Sequence, residues 1–344
     1  MYPLEASARV DLVPSPRQVA SESVWLTWRA AMEHALYGES GFYLRERPSS
    51  HFRTSVGASP VFAEAVLREL TAIDEVLDGP EVLDLVDIGA GEGRLSAGVL
   101  AAAPPALRSR LRVTAVDLAP RPSALPEEIV WAKAAPDGIH GLVVANEWLD
   151  NVPVDIVEQT ADGPRLVLVN VTNGEERLGD SPSEADLAWL ARWWRMRAPG
   201  ERAEIGRPRD RAWASVIVRL ARGRAIAIDY SHALDDRPPY GTLAGYRDGA
   251  TVAPVPDGSC DITAHVALDA CAASGESAGA VTTALTTQRE ALRALGVTGS
   301  RPPVEQAAND PRGYLRALTR ASEEAELIAP GGLGGFGWLS QSRL

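Results

Sequence analysis

At 344 residues, with 45% hydrophobic and 23% charged side chains, the chain is long and apolar enough to bury a substantial core. Its 34 basic and 46 acidic residues leave a net charge of −12, which excludes the broad basic footprint of a nucleic-acid or anionic-membrane binder. Two cysteines, Cys260 and Cys271, are too few for a disulfide framework, and neither the five scattered histidines nor the carboxylates show metal-ligand spacing.

In chain order, residues 20–47 predict a helix that ends near Gly38, because Val24, Trp25, Trp28, Met32, Ala35 and Leu36 recur at helical spacing. Ser59-Pro60 opens a second amphipathic helix running to Leu77. The pattern then changes. EVLDLVDIG, RVTAVDLAP, EIVWAKA and GLVVANE are four short β-rich runs, spaced by helical or loop segments such as RLSAGVLAAA. Strands that are apolar in both parities and alternate with helices predict a parallel sheet covered on both faces. Beyond Pro153, DIVEQTADGPRLVLVNV reads as a hairpin about Asp162-Gly163, and ADLAWLARWWRMRA and RDRAWASVIVRLARG as two helices. Trp189, Trp193 and Trp194 read as packing residues. RAIAIDYS returns to a buried strand, residues 237–258 are loop-like, and AVTTALTTQREALRAL predicts a late helix. The expected organisation is an N-terminal helical region over 1–78 and one α/β domain over 79–344, with an insertion at about 155–210.

No window reaches the roughly 18 apolar residues needed to span a bilayer, and the N-terminus lacks the basic and apolar regions of a signal peptide. A soluble, cytoplasmic protein is expected.

The chemistry concentrates in VDIGAGEGRL, where Gly89, Gly91 and Gly93 follow a strand and open a helix. Lacking Cβ atoms, they let the backbone turn sharply and approach a ligand, and the helix start adds free N–H donors. Asp117 ends the next strand, where a carboxylate can accept both hydroxyls of a ribose. A dinucleotide fingerprint would place its third glycine at 94, which is Arg94. Asp87 instead stands two residues before the first glycine. This spacing resembles the S-adenosylmethionine loop of class I methyltransferases, whose ligand has a cationic amino group and no pyrophosphate. In VVANEWLDNVPV, Asn146 and Glu147 end a predicted strand at the ligand-bearing edge of the sheet, with Asp150 about one turn further on; Asn146 and Asp150 also suit helix caps.

These blocks, together with ALYGESGFY (35–43), HFRTS (51–55), the glutamate of AEI (203–205), AIDYS (227–231), GTLAGY (241–246), DITAHV (261–266), TTQ (286–288) and PGGLGGFGWL, resemble the MidA family of S-adenosylmethionine-dependent methyltransferases, which includes the mitochondrial complex I assembly factor 7. The resemblance implies a Rossmann-like class I methyltransferase sheet with an inserted substrate-covering subdomain, S-adenosyl-L-methionine as cofactor, and a protein arginine as methyl acceptor. It also implies that Asp87, Gly89, Gly91, Gly93, Asp117 and Asn146 hold the cofactor. Asn146, Glu147, Asp150, Asp229 and His265 would then face the reaction centre, with Tyr230 and Asp261 closing the pocket. A histidine such as His265 is more often structural than catalytic. Two departures bear on the acceptor: TSVGAS follows where the family carries a proline-glutamate sequence after the threonine, and Ser231 follows Asp229-Tyr230 where the family has glycine. A small-molecule N- or O-methyltransferase and a non-catalytic assembly factor with the same fold are the alternatives.

Overall fold

Seven strands form the central sheet of the computed structural model, which describes residues 24–45 and 55–344. They are β1 (Leu83–Ile88), β2 (Leu111–Val116), β3 (Val130–Ala132), β4 (Ile139–Asn146), β5 (Leu220–Asp229), β6 (Thr282–Thr287) and β7 (Gly337–Arg343). Their order across the sheet is β3-β2-β1-β4-β5-β7-β6. β7 runs antiparallel to both of its neighbours, and the other pairings are parallel.

The strands are apolar in both parities because both faces are covered. Leu83, Leu85, Leu142, Val144, Ile226 and Ile228 pack on one side, against the helices Pro60–Val76, Arg94–Ala102 and Pro311–Leu327. Val86, Ile88, Val143, Ala145, Ala225 and Ala227 pack on the other, against Arg207–Arg219 and Leu268–Ser277. Each fully buried Val, Leu or Ile contributes about 1.5–3 kcal/mol relative to exposure, so the sheet centre is the rigid part of the molecule.

The expected late helix is half strand. Residues 282–287 (TTALTT) are rich in β-branched threonine and pair with β7 at the sheet edge; the helix is confined to Gln288–Ala294. The boundary is set by a capping box in which Thr287 accepts from the Glu290 N–H and Glu290 accepts from the Thr287 N–H. The N-terminal helix is shorter than expected as well. It spans Trp28–Tyr37, with Thr27 as its N-cap, and is preceded by a strand, Trp25–Thr27. That strand pairs with Gly163–Asn170 in a second, antiparallel sheet that also contains Ile156–Thr160, Glu176–Leu178 and Arg202–Glu204. The expected hairpin is present, Thr160 pairing with Gly163. Residues 20–23 and 46–47 of the expected first helix, the N-terminal segment and residues 51–54 of HFRTS lie outside the described residues. Among the described residues, no helix is long and apolar enough to cross a membrane.

Candidate active site

Parallel strands in register bring their carboxyl ends to one edge. Ile88 lies opposite Val116 and Ala145, and Asn146 opposite Ile228. The glycine loop, Asp117, Asn146-Glu147 and Asp229 therefore form a row over β1, β2, β4 and β5. Three inter-strand steps separate Asp117 from Asp229, roughly 14 Å.

The three loop glycines all have positive φ, at 69°, 56° and 72° for Gly89, Gly91 and Gly93, but they are not equivalent. A Cβ at Gly89 would lie 2.9 Å from the Trp148 ring, and one at Gly93 would lie 2.6 Å from Leu125 Cδ1. A Cβ at Gly91 would meet nothing within 4 Å. Two glycines thus permit packing, and the third borders open space. The Gly91 N–H donates to Asp117 Oδ2 at 2.8 Å and the Ala119 N–H to Asp117 Oδ1 at 2.7 Å. A carboxylate has about four lone-pair sites, so Asp117 retains one on each oxygen for a diol. Asp87 lies beneath the loop, where Ser96 donates to its Oδ2 at 2.8 Å and burial pushes its carboxyl up to about 6.

The β4 end is built from buried charge. Glu147 adopts φ +52°, a left-handed conformation uncommon outside glycine. Its N–H stays on the sheet, donating to Ile228 O at 2.8 Å, while its side chain turns back. Glu147 Oε1 accepts from the Ser55 N–H and from Asn146 Nδ2, both at 3.0 Å. Burial is the main cause that raises this carboxyl to about 7. Asn146 Oδ1 is buried without a donor. Asp229 Oδ2 caps the turn after Glu147 by accepting from the Leu149 N–H at 2.9 Å and the Asp150 N–H at 3.3 Å. Asp150 Oδ1 and Asp229 Oδ1 are both buried without a hydrogen-bond partner. Burial, then the Asp150 charge, holds the Asp229 carboxyl well above the carboxylate range; Asp150 is pushed up to about 6, chiefly by burial.

Arg209, invisible to sequence reasoning, holds this turn. It is 1% exposed and donates from Nε to Val152 O, and from its terminal nitrogens to His265 O and Asp150 O, at 3.2, 2.8 and 2.6 Å. His265 lies behind Tyr230, the rings stacked at 5.4 Å, and its N–H donates to Thr242 Oγ1 at 2.8 Å. Burial, then Arg209, lowers the His265 pKa, so the ring is neutral at pH 7. The N-terminal region closes the row from outside. Tyr37 donates to Asn151 O at 3.0 Å, and Tyr43 donates to Asp261 Oδ1 at 2.7 Å. Tyr37 is kept protonated by burial, then by the charges of Asp261 and Asp150. Ser55 donates from Oγ to Gln288 Oε1 at 3.0 Å, which ties the TSVGAS and TTQ blocks to Glu147. Residues 55–58 supply a backbone donor there and no carboxylate. Single residues such as Arg209 and Tyr37 carried no local sequence signal for these contacts; their partners are more than fifty residues away.

The profile of a family described as "Putative S-adenosyl-L-methionine-dependent methyltransferase" matches residues 61–286, and the chain belongs to that family. Two crystal structures from Burkholderia thailandensis are similar to it. One, a COG1565 superfamily member and "likely methyl transferase" bound to S-adenosyl-homocysteine, is 27% identical, with a TM-score of 0.78 over 93% of this chain and 88% of that one. The other, a native structure of an uncharacterized COG1565 superfamily protein, is 28% identical, with a TM-score of 0.76 over 93% and 87%. No protein with a curated description matches the sequence. The protein is a methyltransferase of the class I fold and uses S-adenosyl-L-methionine. The open face at Gly91 and the spare lone pairs of Asp117 fit that cofactor, which brings a diol.

Proposed function

We propose that the enzyme methylates a cationic nitrogen, the guanidinium of a protein arginine. The observation that carries this reading is the excess of buried acceptors at the β4–β5 end. Glu147, Asp150, Asp229 and the orphaned Asn146 Oδ1 converge there, while the buried cation, Arg209, directs its donors to backbone carbonyls. A neutral acceptor would leave that potential unanswered; a guanidinium supplies both charge and N–H donors.

In the proposed arrangement Asp117 takes the ribose hydroxyls, the loop of Gly89, Gly91 and Gly93 lies along the methionine part, and Asp87 supports the loop from below. The cofactor supplies a methyl group activated on a positively charged sulfur. Asn146 Oδ1 accepts an acceptor N–H and aligns the nitrogen, and Glu147 takes its proton as the N–C bond forms and the C–S bond breaks. A carboxyl held near 7 is suited to that role at neutral pH. The Asp150–Asp229 pair holds the turn and adds negative potential; neutral His265 positions Tyr230 at the rim. The N-terminal region and the insertion at about 155–210 cover the acceptor side and exclude water. Both cysteines are unpaired, which suits a reducing compartment such as the cytoplasm.

The test is transfer from methyl-labelled S-adenosylmethionine into a lysate split into protein and small-molecule fractions. Label recovered as methylarginine after hydrolysis of the protein fraction is expected. Label confined to the small-molecule fraction would overturn the acceptor assignment.

A further inference from the structure

A cavity of about 560 Å³ opens between the second sheet and residues 240–254, and neither the glycine loop, Asp117 nor residues 146–150 line it. Its wall includes Trp28, Glu176, Arg202, Glu204, Tyr240 and Thr242. Glu204 is 2% exposed. Its Oε1 accepts from the Thr242 N–H at 2.5 Å and the Leu243 N–H at 3.2 Å, whereas its Oε2 is buried with no partner. The other charges in the wall are spent on one another. Glu176 accepts from Trp28 Nε1 and from Arg202, each at 2.7 Å, and Arg202 also donates to Glu158 at 2.9 Å. Among the described residues Glu204 has no ion-pair partner within 4 Å. A buried carboxylate oxygen left without a donor carries a desolvation cost that a cationic N–H would offset.

We propose that this cavity is a subsite for a cationic side chain, lysine or arginine, of the polypeptide that presents the methyl acceptor. The stem lies against Trp28 and Leu243, the half-open mouth offers the 74%-exposed ring of Tyr240 for a cation–π contact, and the nitrogen donates to Glu204 Oε2. The subsite communicates with the reaction centre through adjacent bonds. Thr242 donates its N–H to Glu204 and accepts the His265 N–H on Oγ1; His265 O and Asp150 O both accept from Arg209. An occupant is thus fixed relative to the turn that carries Asp150. The peptide source of the side chain rests on the protein-acceptor reading; the cation chemistry does not.

The test titrates N-acetyl-arginine methylamide, N-acetyl-lysine methylamide and neutral N-acetyl-norleucine methylamide into the enzyme saturated with S-adenosyl-homocysteine. The readout is the indole N–H resonance of Trp28. At least one cation should shift it, and the more effective of the two identifies the side chain; norleucine should not. Glu204→Gln should weaken the response at least tenfold with S-adenosyl-homocysteine affinity kept within about twofold, and Tyr240→Ala, an exposed position that spares the fold, should weaken it about threefold. The response should survive Glu147→Gln, which separates this subsite from the reaction centre. Equal binding of norleucine, or undiminished cation binding in both Glu204→Gln and Tyr240→Ala, would overturn the proposal. Methyl label confined to small molecules, with cation binding intact, would remove the peptide source and leave the cation subsite standing.

Discussion

The two halves of the sheet edge are built on different physical terms. On the β1–β2 side the site is backbone and empty space: three glycines at positive φ, an open face at Gly91, and an Asp117 carboxylate with one backbone N–H on each oxygen. On the β4–β5 side it is buried charge, with Glu147 in a left-handed conformation and two buried aspartates beside a buried arginine. The first half can hold a ligand common to many proteins with little strain. The second concentrates desolvated carboxylates, and the proposed selectivity for a cationic acceptor rests on it.

The largest expected effect tests whether the halves separate. Glu147→Gln keeps the shape and the acceptor oxygen but removes the charge and the proton acceptor. Methyl transfer should fall by roughly 10²–10⁴-fold, the range for a positioned acid–base group, while calorimetry should find cofactor affinity within a few-fold of the parent. Lost cofactor binding with turnover retained at saturation would move Glu147 into the cofactor half.

Asp117→Ala should do the reverse with a smaller effect. Losing hydrogen bonds to a charged group costs about 2–4 kcal/mol here, roughly 30- to 800-fold in cofactor affinity, since such bonds contribute about 1.5–3 kcal/mol each and are not additive. Part of that loss comes from the loop, because the Gly91 N–H loses its acceptor. A 2′-deoxy cofactor analogue separates the two contributions: on the variant it should lose much less affinity, relative to the natural cofactor, than on the parent. Equal losses on both proteins would show that the carboxylate holds the loop and leaves the ribose alone.

The same division explains what the sequence made legible. The glycine loop and Asp117 could be read because their signal is local: glycine spacing after a strand, and an acid at the end of the next. Asn146, Glu147, Asp150 and Asp229 could be placed at the sheet edge for the same reason, since strand ends are visible in the hydrophobic pattern. Their electrostatics could not. Ser55 reaches Glu147 across a separation of 92 residues, Asp229 reaches Leu149 across 80, and Arg209 reaches Asp150 across 59. The boundary of the late helix is hidden from the local pattern for a related reason. TTALTT fits a helical pattern by itself and becomes strand through pairing with β7, fifty to sixty residues later in the chain. Trp189 and Trp194 pack in a small buried cluster with Val157 and Ala203, and half-buried Trp193 lies against it.

The smallest expected effect is a pH dependence with opposite signs in rate and stability. Glu147 titrates near 7 in the folded protein, above its unfolded value of about 4.3. A carboxyl raised in this way stabilises the fold fully below the unfolded value, and that contribution is lost as pH rises through about 7. The ionised form that accepts a proton is gained over the same interval. Transfer should therefore rise about fivefold between pH 6 and pH 7 in the limit of a single titrating group, and level off above about pH 8. Stability alone would not isolate this group, because Asp150, Asp229 and Asp261 are raised as well, while His232 and His265 are lowered and act in the opposite sense below about 6.5. The difference between Glu147→Gln and the parent does isolate it. From pH 5 to pH 8 the variant should gain stability relative to the parent by up to about 3 kcal/mol, since a tenfold change in acidity is equivalent to about 1.36 kcal/mol. Its residual transfer should also lose the acidic limb. Denaturant melts at the two pH values measure the first and a rate profile the second. A stability difference that stays constant across the range would show that Glu147 is ionised throughout, which would remove the tuning of its carboxyl toward neutral pH and the acidic limb expected of the rate.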